Sequence, residues 1–379
     1  MGILFDSDQE LLADTAHGFF EEHAPVAALR KLRDTRDALG YQPEVWAQMV
    51  ELGWTAIIFP EAHGGLAFGY KGLGAVMGQG GRTLAATPLF ATVALGGGAL
   101  MLGGSETQQA HWLPAIIAGE ARFALALEEG LHHNPPGTAL KAEAAGGGHV
   151  LTGEKHFVVD GSFADQLVVV ARTSGTPGDV AGLTLFLVEA KASGITRSPV
   201  RMVDSRAAAS IRFDGVRVGA DAVIGKVGEG AALLDAVLDR ARVCLAAEML
   251  GSAEKLFETT VTYLKERVQF DVPIGSFQAL QHRASQMFIA LEMSRSAVLA
   301  ALTAIDEGSP QLSLLASLAK AKMSDTLELV SNEAVQMHGG IGMTDELDVG
   351  LYLKRARVQQ QLLGDASFHR ARYAALRGY

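Results

Sequence analysis

Arg267 closes an amphipathic run in YLKERVQFDVPIGSFQALQHRASQM, and its guanidinium is a planar fork of donors matched to a phosphate or pyrophosphate. Further on, EAVQMHGGIGMTDELDVGLYLKRAR places Gln336 just before Gly339-Gly340, a pair that lets backbone come close to a phosphate or nucleoside. Taken alone, Arg267 reads as a helix-end arginine in a surface ion pair. Other groups able to do chemistry are scattered. Cys244 is the one cysteine and lies in an apolar run, where packing is the usual role. His132-His133 are sequence neighbours, which do not share a helix face, and read as a surface loop rather than a metal site. Asp365, after Gly364, is a carboxylate that could serve as a base or as a polar turn residue.

Composition narrows the classes. The 379 residues carry 32 Lys and Arg against 42 Asp and Glu, a net charge of −10, with no basic block. That balance argues against binding a nucleic-acid backbone. A single cysteine allows no internal disulfide and fits a reducing cytoplasm. No basic segment precedes an apolar stretch at the start, and Gly2 lacks the Ser or Thr that lipidation would want, Asp6 standing there. TPLFATVALGGGALMLGG (87–104) approaches spanning length, but its glycines make it a buried helix rather than a membrane span. No strand–GxGxxG–helix unit, GxxxxGK[ST] loop or GxSxG elbow is present.

Three textures follow one another along the chain. Residues 1–122 read as helices: a capping box at Ser7-Asp8-Gln9-Glu10, an amphipathic EVWAQMVELGW, and SETQQAHWLPAIIAGE with a Ser cap and a break at Pro114. Residues 123–230 read as strands, with HVLTGEKHFVVDG as two short strands about a glycine turn, then DQLVVVAR, LTLFLVEA and SIRFDGVRV. Residues 231–379 are helical again; Leu280, Ala284, Met287 and Leu291 recur on one face, with Met287 and Met293 as core fill. Contiguous strands that do not alternate with helices argue for an antiparallel barrel or sandwich. The expected class is α+β: an N-terminal helical domain, a middle antiparallel β domain and a C-terminal four-helix bundle.

Three ordered motifs resemble the flavin-dependent acyl-CoA dehydrogenase family over almost the whole chain. WTAIIFPEAHGGLAFGY resembles its PE-x-x-GG turn, residues 263–287 its ER-x-x-FG-x-x-[IL]-x-x-x-Q element, and residues 333–357 its Q-x-x-GG-x-G-x-x-x-E element. The resemblance implies FAD as cofactor, with Arg267, Phe270, Gln278, Gln336, Gly339 and Gly340 contacting the flavin held mostly by a neighbouring subunit. It also implies an oligomer, an acyl-CoA substrate and an electron-transferring flavoprotein as acceptor. One departure is Asp271, where the family has glycine.

The family's reaction is α,β-desaturation of an acyl-CoA thioester, in which a carboxylate removes the α-proton. Its usual base, a Glu before a Gly, falls here on Leu363; the alternative position, beside the arginine matching Arg242, falls on Ala241. Asp365 is the substitute base by default, with Arg242 as the other candidate catalytic residue; Asp239 is two residues from Ala241. The family's T-E-P-x-x-G-S-D loop matches LEEGLHHNPPG, with Glu128 in the Thr place and Gly130 in the Pro place. Phe157 and Val159 stand where the family has Trp and Thr. A carboxylate beside an anionic reduced flavin would be repulsive. The chain thus matches residues that serve a neighbour's flavin and departs at those that serve its own. It reads as the subunit of a heteromeric acyl-CoA dehydrogenase, paired with a paralogous chain. Three alternatives stand beside it: a homo-oligomeric enzyme using Asp365, a non-enzymatic acyl-CoA or protein-binding scaffold, and a different flavin reaction on the same fold.

Overall fold

The computed structural model describes residues 4–379; Gly2 lies outside them. The first helices are α1 (Ser7–His23), α2 (Val26–Thr35), α3 (Pro43–Glu51) and α4 (Tyr70–Arg82), then a π-helical segment Phe90–Gly97 running into α5 (Gly98–Gly103), and α6 (Glu106–Ile117). Strands follow: β1 (Phe123–Ala126), β2 (Lys141–Ala145), β3 (Gly148–Val159), β4 (Gln166–Arg172), β5 (Leu183–Glu189), β6 (Ile195–Arg201), β7 (Ala207–Val218) and β8 (Val223–Ile224). The chain then runs through α7 (Gly230–Glu266), a hairpin of β9 (Val268–Gln269) and β10 (Val272–Pro273), α8 (Gln278–Asp306), α9 (Leu312–His338), α10 (Val349–Gln361) and α11 (Ala366–Leu376). Two compact units result. One holds the chain up to Lys31 with Tyr70–Ala85 and Arg242–Tyr379; the other holds Leu32–Gly69 and Ala86–Ala241.

In the helical unit, α1 opens one residue earlier than the sequence suggested. Asp6, not Ser7, is the cap: its carboxylate accepts from the Asp8 and Gln9 N–H groups at 3.1 and 2.9 Å, and Gln9 Oε1 accepts the Asp6 N–H. A carboxylate reaches orphan N–H groups as a hydroxyl does and adds a charge favoured by the helix dipole. Helices α4 and α7 touch backbone to backbone, since a Cβ on Gly251 would stand 1.8 Å from the Gly78 carbonyl oxygen. The Met293 expectation fails. Met287 is fully buried, but Met293 is 58% exposed, because the helix turns the two onto different faces.

In the other unit the strands order β6-β7-β3-β2-β4-β5-β8, with β1 pairing off this path onto β4. Pairing is antiparallel except for β1 with β4 and a single bridge of β2 to β4. Its core gathers Leu151, Leu167, Val169, Phe186, Ile211 and Phe213, all within 1% of complete burial. Burying one such side chain contributes about 1.5–3 kcal/mol. HVLTGEKHFVVDG is one strand, not two. Gly153 is no turn but a register shift against β7, where a Cβ would press to 2.9 Å from Leu140 Cα. A second shift, between Lys155 and Val158, leaves Phe157 at φ +51° and 41% exposed. Pro114 does not break α6, which runs on to Ile117, with the Ala118 N–H reaching the Pro114 carbonyl at 2.9 Å. The apolar stretch 87–104 is buried from Phe90 through Leu100, as a π-helical segment and α5. The helix long and apolar enough to cross a membrane is instead α8, by length and composition only.

Candidate functional site

Three elements of the helical unit bring the proposed nucleotide residues together. Tyr263, near the end of α7, stacks on His338, near the end of α9, with centroids 4.3 Å apart and planes 28° apart. Arg283 near the start of α8 pairs with Glu333 of α9 at 2.5 Å. Arg267 and Phe270 follow α7, Gln278 opens α8, and Gln336, Gly339 and Gly340 lie where α9 ends. All six are exposed. The Arg267, Gln278 and Gln336 side chains make no hydrogen bond or ion pair with other described residues. Phe270 is 86% exposed and meets Phe277 edge to face, ring centres 6.1 Å apart.

Backbone geometry explains parts of this arrangement. Phe270 and Asp271 form the two-residue tip of the β9–β10 hairpin, with φ +54° and +64°. Two left-handed residues make the turn whose twist suits a tight hairpin. Aspartate tolerates that region better than most residues, so the turn survives without the family's glycine. Gly339, at φ +63° and ψ −141°, has a backbone conformation open only to glycine. A Cβ on Gly339 or Gly340 would meet nothing within 4 Å. Packing within this chain therefore does not demand glycine at 340. Open space at two glycines, with an unengaged guanidinium and two unengaged amides in the same unit, fits a dinucleotide whose phosphates approach the backbone.

The turn matching the family's base position is built otherwise. Leu363 is 4% exposed at φ +58°, and Gly364 follows at +104°. The Leu363 carbonyl accepts from Arg242 Nε at 3.3 Å, with His369 Nε2 at 3.1 Å. Lys320 Nζ, fully buried, donates to the carbonyls of Gln360 (3.1 Å) and Gly364 (2.8 Å). Burial, and then the Arg242 charge, push the Lys320 ammonium down to about 7. Arg242 is itself 1% exposed, with its guanidinium 5.6 Å from the Phe368 ring centre. Its observed work is to hold this turn.

Asp365 caps α11, its Oδ1 accepting from the Phe368 N–H at 2.7 Å. Ala241 is fully buried and Asp239 nearly so. Truncation at the cap is expected to cost about 1 kcal/mol. We expect Asp365→Ala to lower the urea midpoint accordingly and to leave the desaturation rate of the assembled enzyme unchanged; a rate loss beyond tenfold would make Asp365 the base instead.

In the strand-bearing unit, the loop matching the family's flavin-ring segment is tied to itself. Glu129 accepts from Lys155 Nζ at 2.6 Å and from the N–H groups of Ala139 and Leu140 at 2.7 and 3.0 Å. Lys155 is fully buried and also donates to the Leu127 carbonyl at 2.9 Å. Its pKa falls to about 8, burial outweighing the attraction of Glu129. Glu128 is paired with His133, Nδ1 to Oε1 at 2.5 Å. His133 is thus not the loose surface histidine the sequence suggested; its side chain is 3% exposed. Glu128 is thus engaged with His133, and Val159 carries no hydroxyl to donate. Lys320 and Lys155 escaped sequence reading, and the pairing of His133 was not foreseen. For Lys320 a signal existed: it stands among Ala316, Ala319 and Met323, all fully buried in α9.

Comparison with known proteins agrees with this architecture. Residues 6–120 match the acyl-CoA dehydrogenase N-terminal domain, 128–216 the middle domain and 228–375 the C-terminal domain. Acyl-CoA dehydrogenase IpdE2 of Mycolicibacterium smegmatis is 31% identical over 358 residues, 94% of each chain. Butyryl-CoA dehydrogenase from Megasphaera elsdenii superposes with a TM-score of 0.91 at 26% identity, covering all of both chains. A chain of the ChsE4-ChsE5 complex from Mycobacterium tuberculosis superposes at 0.90 with 25% identity, covering 100% of this chain and 99% of that one. By fold, by domain order and by sequence, the chain belongs to the acyl-CoA dehydrogenase family of FAD-dependent oxidoreductases that act on acyl-CoA.

Proposed function

We propose that this chain is one subunit of a heteromeric acyl-CoA dehydrogenase, in which it completes a flavin site belonging to a paralogous partner. The observation that carries the reading is a contrast. The nucleotide-end residues Arg267, Gln278 and Gln336 are exposed and unengaged, whereas the base position is an apolar side chain that is 4% exposed. The ChsE4-ChsE5 complex, a pairing of two differently named chains, is a precedent on the same fold.

FAD, when bound, supplies the hydride acceptor of the desaturation. This chain's part is electrostatic and positional. Arg267 meets the pyrophosphate with paired charge-assisted bonds, Gln278 and Gln336 offer amides to the nucleotide, Phe270 gives an aromatic face, and Gly339-Gly340 allow close backbone approach. Proton removal falls to the partner, since Leu363 and Ala241 hold no proton acceptor and Asp365 is committed to its helix cap.

The test is the visible spectrum of the chain purified alone and then with its paralogue. Alone, it is expected to carry well under one FAD per chain and to show no turnover with acyl-CoA and a dye acceptor. Flavin and turnover should appear together on assembly. One FAD per isolated chain with turnover would refute the division of labour.

A further inference from the structure

We propose that Tyr263 and His338 are positioning residues of the nucleotide site, setting where Arg267 and the Gly339-Gly340 backbone stand relative to one another. The inference rests on the flavin reading above and names what holds that site in shape. Restraints converge on His338, which is 3% exposed. Its ring stacks on that of Tyr263, centroids 4.3 Å apart. Its Nδ1 lies 2.7 Å from the Ala334 carbonyl; a carbonyl only accepts, so Nδ1 carries the proton. Burial holds the imidazole below its usual range, the Ala334 bond opposing it, and the ring is uncharged near neutral pH. The His338 carbonyl accepts from the Tyr263 hydroxyl at 3.3 Å. Its Cβ is backed by Gly342, where an added Cβ would stand 2.9 Å away.

The residue after this anchor is the opposite case. Gly339 is exposed, and a Cβ built there or on Gly340 meets nothing within 4 Å. Side-chain packing at the two glycines therefore does not aim their peptides, and glycine backbone is the freest to wander. The aim comes from the flank. The His338 carbonyl belongs to the same planar peptide unit as the Gly339 N–H, which reaches the Gln336 carbonyl. A hydroxyl holding that carbonyl fixes the plane from which the glycine pair departs. A staple of α7 to α9 needs only the ring contact; the hydroxyl bond acts on the peptide itself. Tyr263 also supplies the other half. Its own carbonyl accepts the Arg267 N–H at 2.9 Å, one helical turn on. A single residue thus holds the arginine that meets the pyrophosphate and the histidine that aims the glycines. Such recognition needs its groups placed to within roughly 0.5 Å, which free backbone does not provide.

The experiment compares Tyr263→Leu and His338→Leu, which lose the stack, with Tyr263→Phe and His338→Phe, which keep it. Amide hydrogen exchange across residues 339–342 is read by mass spectrometry on the chain alone, where no flavin is needed. FAD affinity is read by calorimetric titration of the flavin-stripped assembled enzyme, and packing cost by thermal melting. The leucine variants are expected to speed exchange at 339–342 and to weaken FAD binding roughly tenfold, as for one well-aimed bond to a charged phosphate. The phenylalanine variants should fall between these and wild type. If leucine at either position prevents folding, Tyr263→Phe, which removes only the hydroxyl, carries the test, with an expected loss of about threefold. Unchanged exchange in folded leucine variants would overturn the proposal. A lower melting temperature with FAD affinity unmoved would make the pair a staple and equally overturn it. Arg267→Ala separates the two claims. If it alone weakens FAD binding, only the positioning role falls; if neither it nor the pair variants do, the flavin reading falls and the positioning role with it.

Discussion

Arg267→Ala is expected to weaken FAD binding by the assembled enzyme roughly 10- to 100-fold while leaving this chain's own stability within about 0.5 kcal/mol. The size follows from charge. A hydrogen bond to a charged group contributes about 1.5–3 kcal/mol, and each 1.4 kcal/mol is a factor of about ten. The selectivity follows from exposure: among the described residues no side-chain bond depends on this guanidinium, so its removal orphans none of them. Arg267→Lys keeps the charge but loses the fork, and should fall between wild type and alanine. The measurement is calorimetric titration of the flavin-stripped complex with FAD, alongside thermal melting of this chain alone. Equal FAD affinity in wild type and Arg267→Ala would remove Arg267 from the flavin site. A large drop in stability would make it a structural arginine.

Lys320→Met carries the second large effect. The ammonium holds the Gln360 and Gly364 carbonyls at 3.1 and 2.8 Å, and methionine leaves both buried acceptors without that donor. Each such loss costs about 1–3 kcal/mol, partly offset by removal of a buried amine, so we expect a net destabilisation of about 2 kcal/mol near neutral pH. The variant should also change how stability varies with pH. Burial and then Arg242 depress the folded-state pKa from 10.5 to about 7, with Asp365 opposing them. Below about pH 7 the folded and unfolded chains both carry the proton, and Lys320 adds no slope. From there to 10.5 the unfolded chain binds more protons than the folded one, so stability rises with pH by up to about 1.4 kcal/mol per unit. Lys155, at about 8, adds the same sign over a narrower window. Urea unfolding between pH 6.5 and 9 reads both effects. Wild type should gain stability across the range, and Lys320→Met should gain distinctly less. Parallel curves would mean that Lys320 keeps its proton in the folded chain throughout.

The lysine also bears on why the turn at Leu363 keeps its shape. A leucine at φ +58° is a strained residue, held only where its surroundings over-determine it. Here Lys320, Arg242 and His369 reach the carbonyls at 360, 363 and 364. These three side chains therefore support the turn from outside residue 363.

The sequence alone determined the class of fold and the types of the side chains at each position. Contiguous β-rich runs between helical stretches rule out a doubly wound sheet, because βαβ crossovers need a helix between successive strands. An apolar residue at the base position was equally plain, since a side chain's type is written in the sequence even when its environment is not. What the sequence left open was decided by contacts between distant residues. Register shifts at Gly153 and Phe157 merge two expected strands into one, and depend on the facing strand β7. The cap on α1 moved to Asp6 because a side chain three residues on could answer it. Asp365 reads as either base or turn until α11 claims its oxygen. His133 reads as a loop residue until Glu128 folds back to it. Exposure of Met293 and burial of Lys320 are settled by which helix faces which neighbour. Local sequence fixes what a side chain can do, but partners and desolvation decide what it does, and both come from tertiary packing.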